Sequence, residues 1–565
     1  MIRICIAQIN PTVGDLENNF KKVSVFIKKA KSFLSDIVVF PELALTGYPP
    51  EDLLLNPEFI KACEKYLKKI FPLTDNILVL IGAPYKKNNY LYNGCFVIQN
   101  KKLLSVYKKI FLSEDTVFNE KRYFSPGSEL IIFKNKKLNF SVTICEDIQI
   151  KTSPIFESFF YPKVDILFNI SASPFFVKKI DLRKKLLSRI SKQTQSFLVY
   201  CNLVGAQDEL VFDGRSLVFS PQGELLFEAK SFEEDLLCFD LKIKKKFCNK
   251  KSELFVPSLN CIQTYPFLQK NKPKLPEYIP PKSMDKVEQI YKALVLGIRD
   301  YVRKNNFTKA IVGLSGGIDS SLTCVLAVDA LGKENVIGVS MPSKYTSQAS
   351  LQDAQILAKN LGIKFFVVPI HEIVEIYTKV FKKCFGKVKD ITLQNIQARI
   401  RGNILMAFSN NFGWIVLTTG NKSELSVGYC TLYGDTAGGL CVLKDVPKTL
   451  VYKLSKYRNK IAKRFLIPKR VLTKPPTAEL KPDQTDESEI GSYKVLDKII
   501  NLYVEKNKTL KEIVNKGFNE KMVKQIIYKI DRNEYKRRQL PPGIKITPRS
   551  FGKDRRMPIT NKFII

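Results

Sequence analysis

Between Cys261 and Met284 the chain carries five prolines, Pro266, Pro273, Pro276, Pro280 and Pro281, set among lysines. Proline fixes φ and donates no backbone hydrogen bond, so neither a helix nor a central strand runs through such a stretch. The 565-residue chain is therefore expected to fall into residues 1–260, a linker over 261–284, and residues 285–565. Each long part can close a substantial core.

Ahead of the prolines, short apolar runs recur between turn residues: ICIAQI, IVVF, ILVLIGAPY, SVTIC and ILFNIS. They read as buried strands. Between them Glu17–Ser35 and Asp181–Ser196 return apolar residues every three or four positions, the mark of amphipathic helices. The result is an α/β domain of sheet covered by helix. After the prolines a strand at Ala310–Leu314, a glycine turn, a helix from about Ser320 to Ala330 and a strand at Val336–Ser340 open a βαβ pattern. That pattern predicts a doubly wound parallel sheet.

Composition narrows the chemistry. Hydrophobic residues make up 45%, a globular proportion. The start, MIRICIAQINPTVGD, has no signal-peptide pattern, and no apolar run reaches a membrane span, so a soluble cytoplasmic protein with no membrane partner is expected. Twelve cysteines include no CxxC pair and the only histidine is His371. Neither a zinc finger nor a His-assisted zinc centre can be assembled, and most thiols are expected to be reduced, buried and inert. Lysine and arginine total 91 against 54 acidic residues, a formal charge of +37. The excess is spread along the whole chain beside abundant Ile, Asn and Phe, as solvated faces are, so no nucleic-acid partner is expected.

Directly after the strand AIVGL stands Ser315-Gly316-Gly317-Ile318-Asp319-Ser320-Ser321, leading into a helix. Such a turn aims backbone N–H groups and a positive helix end at an anion, and its glycines let phosphate approach. It lacks the Gly-Lys-Ser/Thr ending of a P-loop. SGGIDSS resembles the signature of the ATP pyrophosphatases, which break ATP between the α and β phosphates and leave an adenylate. Further stretches are similar to the NAD synthetase family: Leu393–Arg401 (LQNIQARIR), Thr418–Glu424 (TTGNKSE), Gly428–Asp435 (GYCTLYGD), Lys474–Leu480 (KPPTAEL) and Glu534–Arg537 (EYKR). The resemblance covers nearly all of residues 285–565. It implies that Gly313, Leu314, Ser315, Gly316, Gly317, Ile318, Asp319 and Ser320 bind ATP phosphates, with Thr419, Lys448 and Thr477 lining the nucleotide. Lys444 stands close enough to Lys448 in sequence to be its alternative. Asp319 and Glu424 would hold magnesium, a hard cation suited to carboxylate and phosphate oxygens. Asn395, Arg399, Glu424 and Lys536 would contact deamido-NAD.

In the first part, Phe40-Pro41-Glu42-Leu43, Tyr107-Lys108-Lys109 and Thr143-Ile144-Cys145-Glu146-Asp147 place a reactive residue after a strand or in the following loop. A thiolate attacks an amide carbonyl if a base takes its proton and a cation holds the oxyanion, and Glu plus Lys supply both without histidine. The set resembles the nitrilase-type amidohydrolases over about residues 1–260, which implies an α-β-β-α sandwich with Glu42, Lys109 and Cys145 as catalytic residues. Counting back from Val117–Phe124 to the K-x-x-L frame of Lys109–Leu112 selects Lys109 over Lys108, and Glu120 is a supporting carboxylate. Asn169–Pro174 (NISASP) and Phe212–Ser216 (FDGRS) resemble the glutamine-handling version of the fold, implying that Ser173 and Lys179 bind glutamine. Where that version has Leu-Pro-Asn-Tyr, this chain has Leu112-Ser113-Glu114-Asp115. Either Asp115 meets the substrate's ammonium group in place of the tyrosine, or the loop is shifted.

Together the resemblances imply a glutamine amidase fused to an adenylating synthetase, with glutamine or ammonia, ATP and deamido-NAD as small-molecule substrates, magnesium as cofactor, and a homo-oligomeric assembly. The rival enzyme reading is another glutamine-dependent ATP pyrophosphatase acting on a nucleotide or RNA. The non-enzymatic rival is a basic nucleic-acid-binding protein on decayed enzyme domains, which would need lost catalytic residues.

Overall fold

The alternation seen in the first apolar runs is that of strands clad on both faces. In Ile2–Gln8, the side chains of Ile2, Ile4 and Ile6 enter one apolar cluster and those of Cys5 and Ala7 another. The period of two sends successive residues to opposite sides. The computed structural model describes residues 1–114, 117–148, 164–243, 259–267, 271–481 and 485–563. It forms two units, one of Met1–Gln207 with Val211–Ser283 and one of Met284–Ile565 with Asp208–Leu210.

The first unit holds two large sheets. One has six strands in the order Asp235–Leu241, Ile2–Gln8, Ile37–Val39, Leu78–Lys87, Tyr90–Gln99, Lys102–Lys108. The other has seven: Leu225–Glu228, Leu217–Phe219, Phe197–Asn202, Ile166–Ser171, Asn139–Ile144, Leu130–Lys134, Leu259–Gln263. Ile4, Val39 and Leu80 of the first sheet share a core with Phe140, Val142 and Phe168 of the second, so the sheets face one another. The outer face of the first sheet is covered by the helices Leu16–Ser32 and Pro57–Lys68 through Val23, Ile27, Cys63 and Leu67. Helix Lys179–Thr194 adds Leu187 and Ile190 to the shared core. Burying each such aliphatic side chain is worth about 1.5–3 kcal/mol.

One expectation needs correction. The linker does not begin at Cys261: Leu259–Gln263 is an edge strand paired in parallel with Leu130–Lys134. Thr264 N extends the pairing to Lys134 O, and Pro266, which has no N–H to donate, lies just beyond. Nine of the described cysteines are free, as expected of most, and Cys5 and Cys238 are the exception. They lie directly opposite in the antiparallel pair of Ile2–Gln8 with Asp235–Leu241 and are joined as a disulfide.

The second unit carries a five-stranded, all-parallel sheet in the order Lys364–Val367, Val336–Ser340, Ala310–Gly313, Ile415–Thr418, Leu440–Cys441. Helix Ile318–Leu331 follows the central strand. From Ala310–Gly313 the chain steps outward to one side and then returns to lay Ile415–Thr418 on the other. The switch point lies between these two strands, where open α/β sheets present their carboxyl ends to ligands.

Candidate active sites

Cys145 follows the strand Asn139–Ile144 and opens a short helical turn, Cys145–Ile148, with a positive φ of 42°. A non-glycine residue held there is strained, a device that exposes a nucleophile at a strand end. Asp147 fixes the turn: its carboxylate accepts from Ile144 N, Ile110 N, Phe111 N and the Tyr107 hydroxyl at 2.8–3.1 Å. That carboxylate therefore ties the loop after Lys109 to the Cys145 turn.

Glu42 lies two residues beyond Phe40 on a turn backed by Gly82, whose missing side chain leaves room for the Pro41–Leu43 backbone. It is fully buried. Its Oε1 accepts from Lys109 Nζ at 2.9 Å and Asn93 Nδ2 at 2.8 Å, and its Oε2 from Ala172 N at 2.9 Å. Lys109 Nζ also pairs with Glu120 Oε2 at 2.7 Å. Lys108 instead sets its ammonium 4.8 Å from the Tyr92 ring. Burial opposes the charge on Lys109, but Glu42 and Glu120 outweigh it and hold the ammonium protonated. Burial pushes the Cys145 thiol well above its ordinary value, with Glu42 adding to the effect. Burial likewise raises Glu42 against the pull of Lys109. A protonated thiol that feels a carboxylate of raised proton affinity has the chemistry that a nucleophile and its base require.

Ser173 follows directly on Ala172, and its N–H donates to Asn202 Oδ1 at 2.9 Å. Lys179 begins the helix Lys179–Thr194 with its ammonium 5.2 Å from the Phe176 ring. Desolvation, and then the neighbouring Arg183 charge, lowers it to about 8. Asp115 lies outside the described residues. A cavity of about 560 Å³ is lined by Phe111, Ser113, Glu114, Lys121 and Glu146.

In the second unit the loop Ser315–Gly317 caps the helix Ile318–Leu331, with Gly316 at φ 76°. Ser315 Oγ accepts from Gly317 N at 3.1 Å, and Ser320 Oγ donates to Gly317 O at 3.1 Å. Asp319 occupies the first helical turn. Its Oδ1 accepts from Asn421 Nδ2 at 2.9 Å, while Asn421 Oδ1 accepts from Glu424 N at 3.1 Å and caps the helix Lys422–Val427. Lys448 Nζ bridges the two acids, 2.6 Å from Asp319 Oδ2 and 2.9 Å from Glu424 Oε1. Burial works against this ammonium, but the two carboxylates keep it charged. Lys444 donates instead to Pro541 O at 2.8 Å. Tyr493 adds its hydroxyl to Glu424 Oε1 at 3.2 Å and to Asp486 Oδ2 at 3.0 Å.

Thr419 follows the strand Ile415–Thr418. Thr477 lies in the segment that Glu479 fastens to Ser347 and Ser350 at 2.9 and 2.7 Å. The remaining candidates gather on the loop after the Glu424 helix. Asn395 Oδ1 accepts from Thr431 Oγ1 at 2.9 Å, and Arg399 Nε donates to Leu432 O at 3.3 Å. Lys536 Nζ donates to Gly428 O and Cys430 O at 2.8 and 2.9 Å. Sequence reasoning did not single out Asn93, Asn421, Tyr493 or Asp486. Only Asn421 stood within a quoted motif.

Comparison with known proteins finds similarity along the whole chain. A carbon-nitrogen hydrolase family model matches residues 3–245 and an NAD synthase family model matches residues 290–541. The glutamine-dependent NAD(+) synthetase of Thermotoga maritima is 46% identical over 100% of this chain and 99% of its own, and that of Aquifex aeolicus is 46% identical over 100% of both. The solved glutamine-dependent NAD+ synthetase of Acinetobacter baumannii, in complex with ADP, superposes with a TM-score of 0.74 at 39% identity, covering 99% of this chain and 98% of that one. Two family models in sequence, and relatives matched from end to end, show that the chain belongs to the glutamine-dependent NAD(+) synthetases.

Proposed function

We propose that the chain's glutamine-dependent NAD synthesis runs through the residues of these two centres. In the first, Glu42 takes the Cys145 proton as the sulfur attacks the glutamine side-chain carbonyl, and the Lys109 ammonium faces the developing oxyanion. Collapse expels ammonia with the proton returned from Glu42, and water then hydrolyses the glutamyl thioester to glutamate. Ser173 and Lys179 hold the amino-acid end of glutamine, and Asp115 belongs with them.

In the second centre, residues 313–320 cradle the ATP phosphates, with Thr419, Lys448 and Thr477 along the nucleotide. Asn395, Arg399, Glu424 and Lys536 hold deamido-NAD. Its nicotinate carboxylate attacks the α-phosphorus, pyrophosphate leaves, and ammonia displaces AMP from the adenylate to give NAD. Asp319 and Glu424 fit magnesium, since one cation, the Lys448 ammonium, already sits between their oxygens. When bound, magnesium supplies positive charge to the leaving pyrophosphate.

A homo-oligomer is part of the proposal. It is supported by exposed Ile376, Tyr377, Val380 and Phe385 on one helix and Ile391 and Phe412 on the next. The cytoplasm is the proposed site of action, with no nucleic-acid partner. No helix among the described residues is long and apolar enough to cross a membrane.

The observation that carries the second centre is Lys448 between Asp319 and Glu424. Asp319→Asn should abolish NAD formation from deamido-NAD and ATP with either glutamine or ammonium, while glutamine hydrolysis continues. Wild-type synthesis by that variant at low magnesium would contradict the assignment.

A further inference from the structure

The carboxamide of Asn93 occupies a position that the reaction scheme above leaves unused. Asn93 lies on the strand Tyr90–Gln99 and is fully buried. Its Nδ2 donates to Glu42 Oε1 at 2.8 Å and to Glu120 Oε1 at 3.2 Å, and its backbone carbonyl accepts from Lys109 N at 2.9 Å. One residue thus touches the base, the supporting carboxylate and the backbone of the lysine between them. Its Oδ1 has no hydrogen-bond partner among the described residues. Turning the amide over would aim that oxygen at two carboxylates, so the glutamates dictate its orientation.

Glu42 and Glu120 share the single ammonium of Lys109. The other titratable groups facing them are the Cys145 thiol and the Tyr48 hydroxyl, with Glu146 and Asp147 also acting on the cluster. Two carboxylates with one cation in a water-poor site tend to retain a proton, and a protonated base cannot accept another. Hydrogen bonds donated to the ionised form oppose that tendency.

We propose that Asn93 is a positioning residue of the amidase centre, whose amide bridges Glu42 and Glu120 and keeps Glu42 an ionised proton acceptor for Cys145. The inference rests on Glu42 being the base. Its test uses the full-length protein with Asn93→Ala and the equally sized Asn93→Asp, with Glu42→Gln beside them. Two pH profiles are measured: kcat/KM for glutamine hydrolysis, and the rate of Cys145 alkylation by iodoacetamide. In Asn93→Ala the acid limb of both should move up by about one pH unit, the value of one hydrogen bond to a charged acceptor, and in Asn93→Asp by more. Should Asn93→Ala fail to fold by circular dichroism, Asn93→Asp decides alone. Lower amplitudes with unmoved limbs, while Glu42→Gln is inactive, would overturn the inference and leave the base assignment standing. Wild-type hydrolysis by Glu42→Gln would overturn the base assignment and the inference with it.

Discussion

Lys108 and Lys109 are neighbours in sequence with different fates. Lys109 is buried between two carboxylates, whereas Lys108 is half-buried beside an aromatic ring. In the proposed reaction only one ammonium would face the oxyanion, so Lys109→Ala should cut glutamine hydrolysis by about 10²–10³. Lys108→Ala should leave it within a few fold, and a deeper defect in Lys108→Ala would count against the site. Lys179 yields a pH prediction. Desolvation has brought its ammonium down to about 8, and in the proposed pocket only the protonated form would pair with the carboxylate of glutamine. The KM for glutamine should therefore rise as pH passes about 8, and the rise should shrink in Lys179→Arg, whose guanidinium stays charged. A KM that is flat through that range would remove Lys179 from the glutamine pocket. Glu42, Lys109 and Cys145 were legible in the sequence because each stands at or just beyond a strand. Asn93 was not, because its meaning lies in a contact 51 residues away, to Glu42, that no local pattern encodes. The same holds for Tyr493, which reaches Glu424 across 69 residues.

The strand–loop–helix over Ala310–Leu331 was read almost in full, since an apolar run, two glycines and a helical period adjoin one another. Its local physics gives a sharp prediction. Gly316 has φ 76°, and an added Cβ would collide with the backbone carbonyl of Ser350, which cannot turn aside as a side chain can. Gly316→Ala should displace the loop, lower ATP affinity and depress NAD formation from either nitrogen source. Glutamine hydrolysis should be spared. Normal ATP binding by this variant would show that the loop's path does not matter to the nucleotide. Elements set by pairing rather than composition were harder to see. The strand Leu259–Gln263 is fixed by its parallel partner Leu130–Lys134, far back in the chain, while nearby prolines suggested a linker. The Cys5–Cys238 bridge depends on strand register across a separation of 233 residues, which cysteine spacing does not reveal.

Across the whole molecule, two α/β patterns on either side of a proline-rich stretch were enough to predict two kinds of sheet, and the motifs assigned a chemistry to each. Strand order was beyond the sequence, because it follows from which apolar faces meet in the core and not from any one segment. In the proposed reaction, releasing nitrogen and using it are separable steps in one chain, carried by different residues. Free ammonia near neutral pH is mostly protonated, but its unprotonated fraction is a nucleophile in its own right. The most direct measurement is NAD formation by Cys145→Ala with ATP and deamido-NAD, supplied in turn with glutamine and with a millimolar ammonium salt. The expected result is no NAD from glutamine and most of the wild-type rate from ammonium. Continued glutamine-driven synthesis, or loss of both activities in a folded variant, would contradict it.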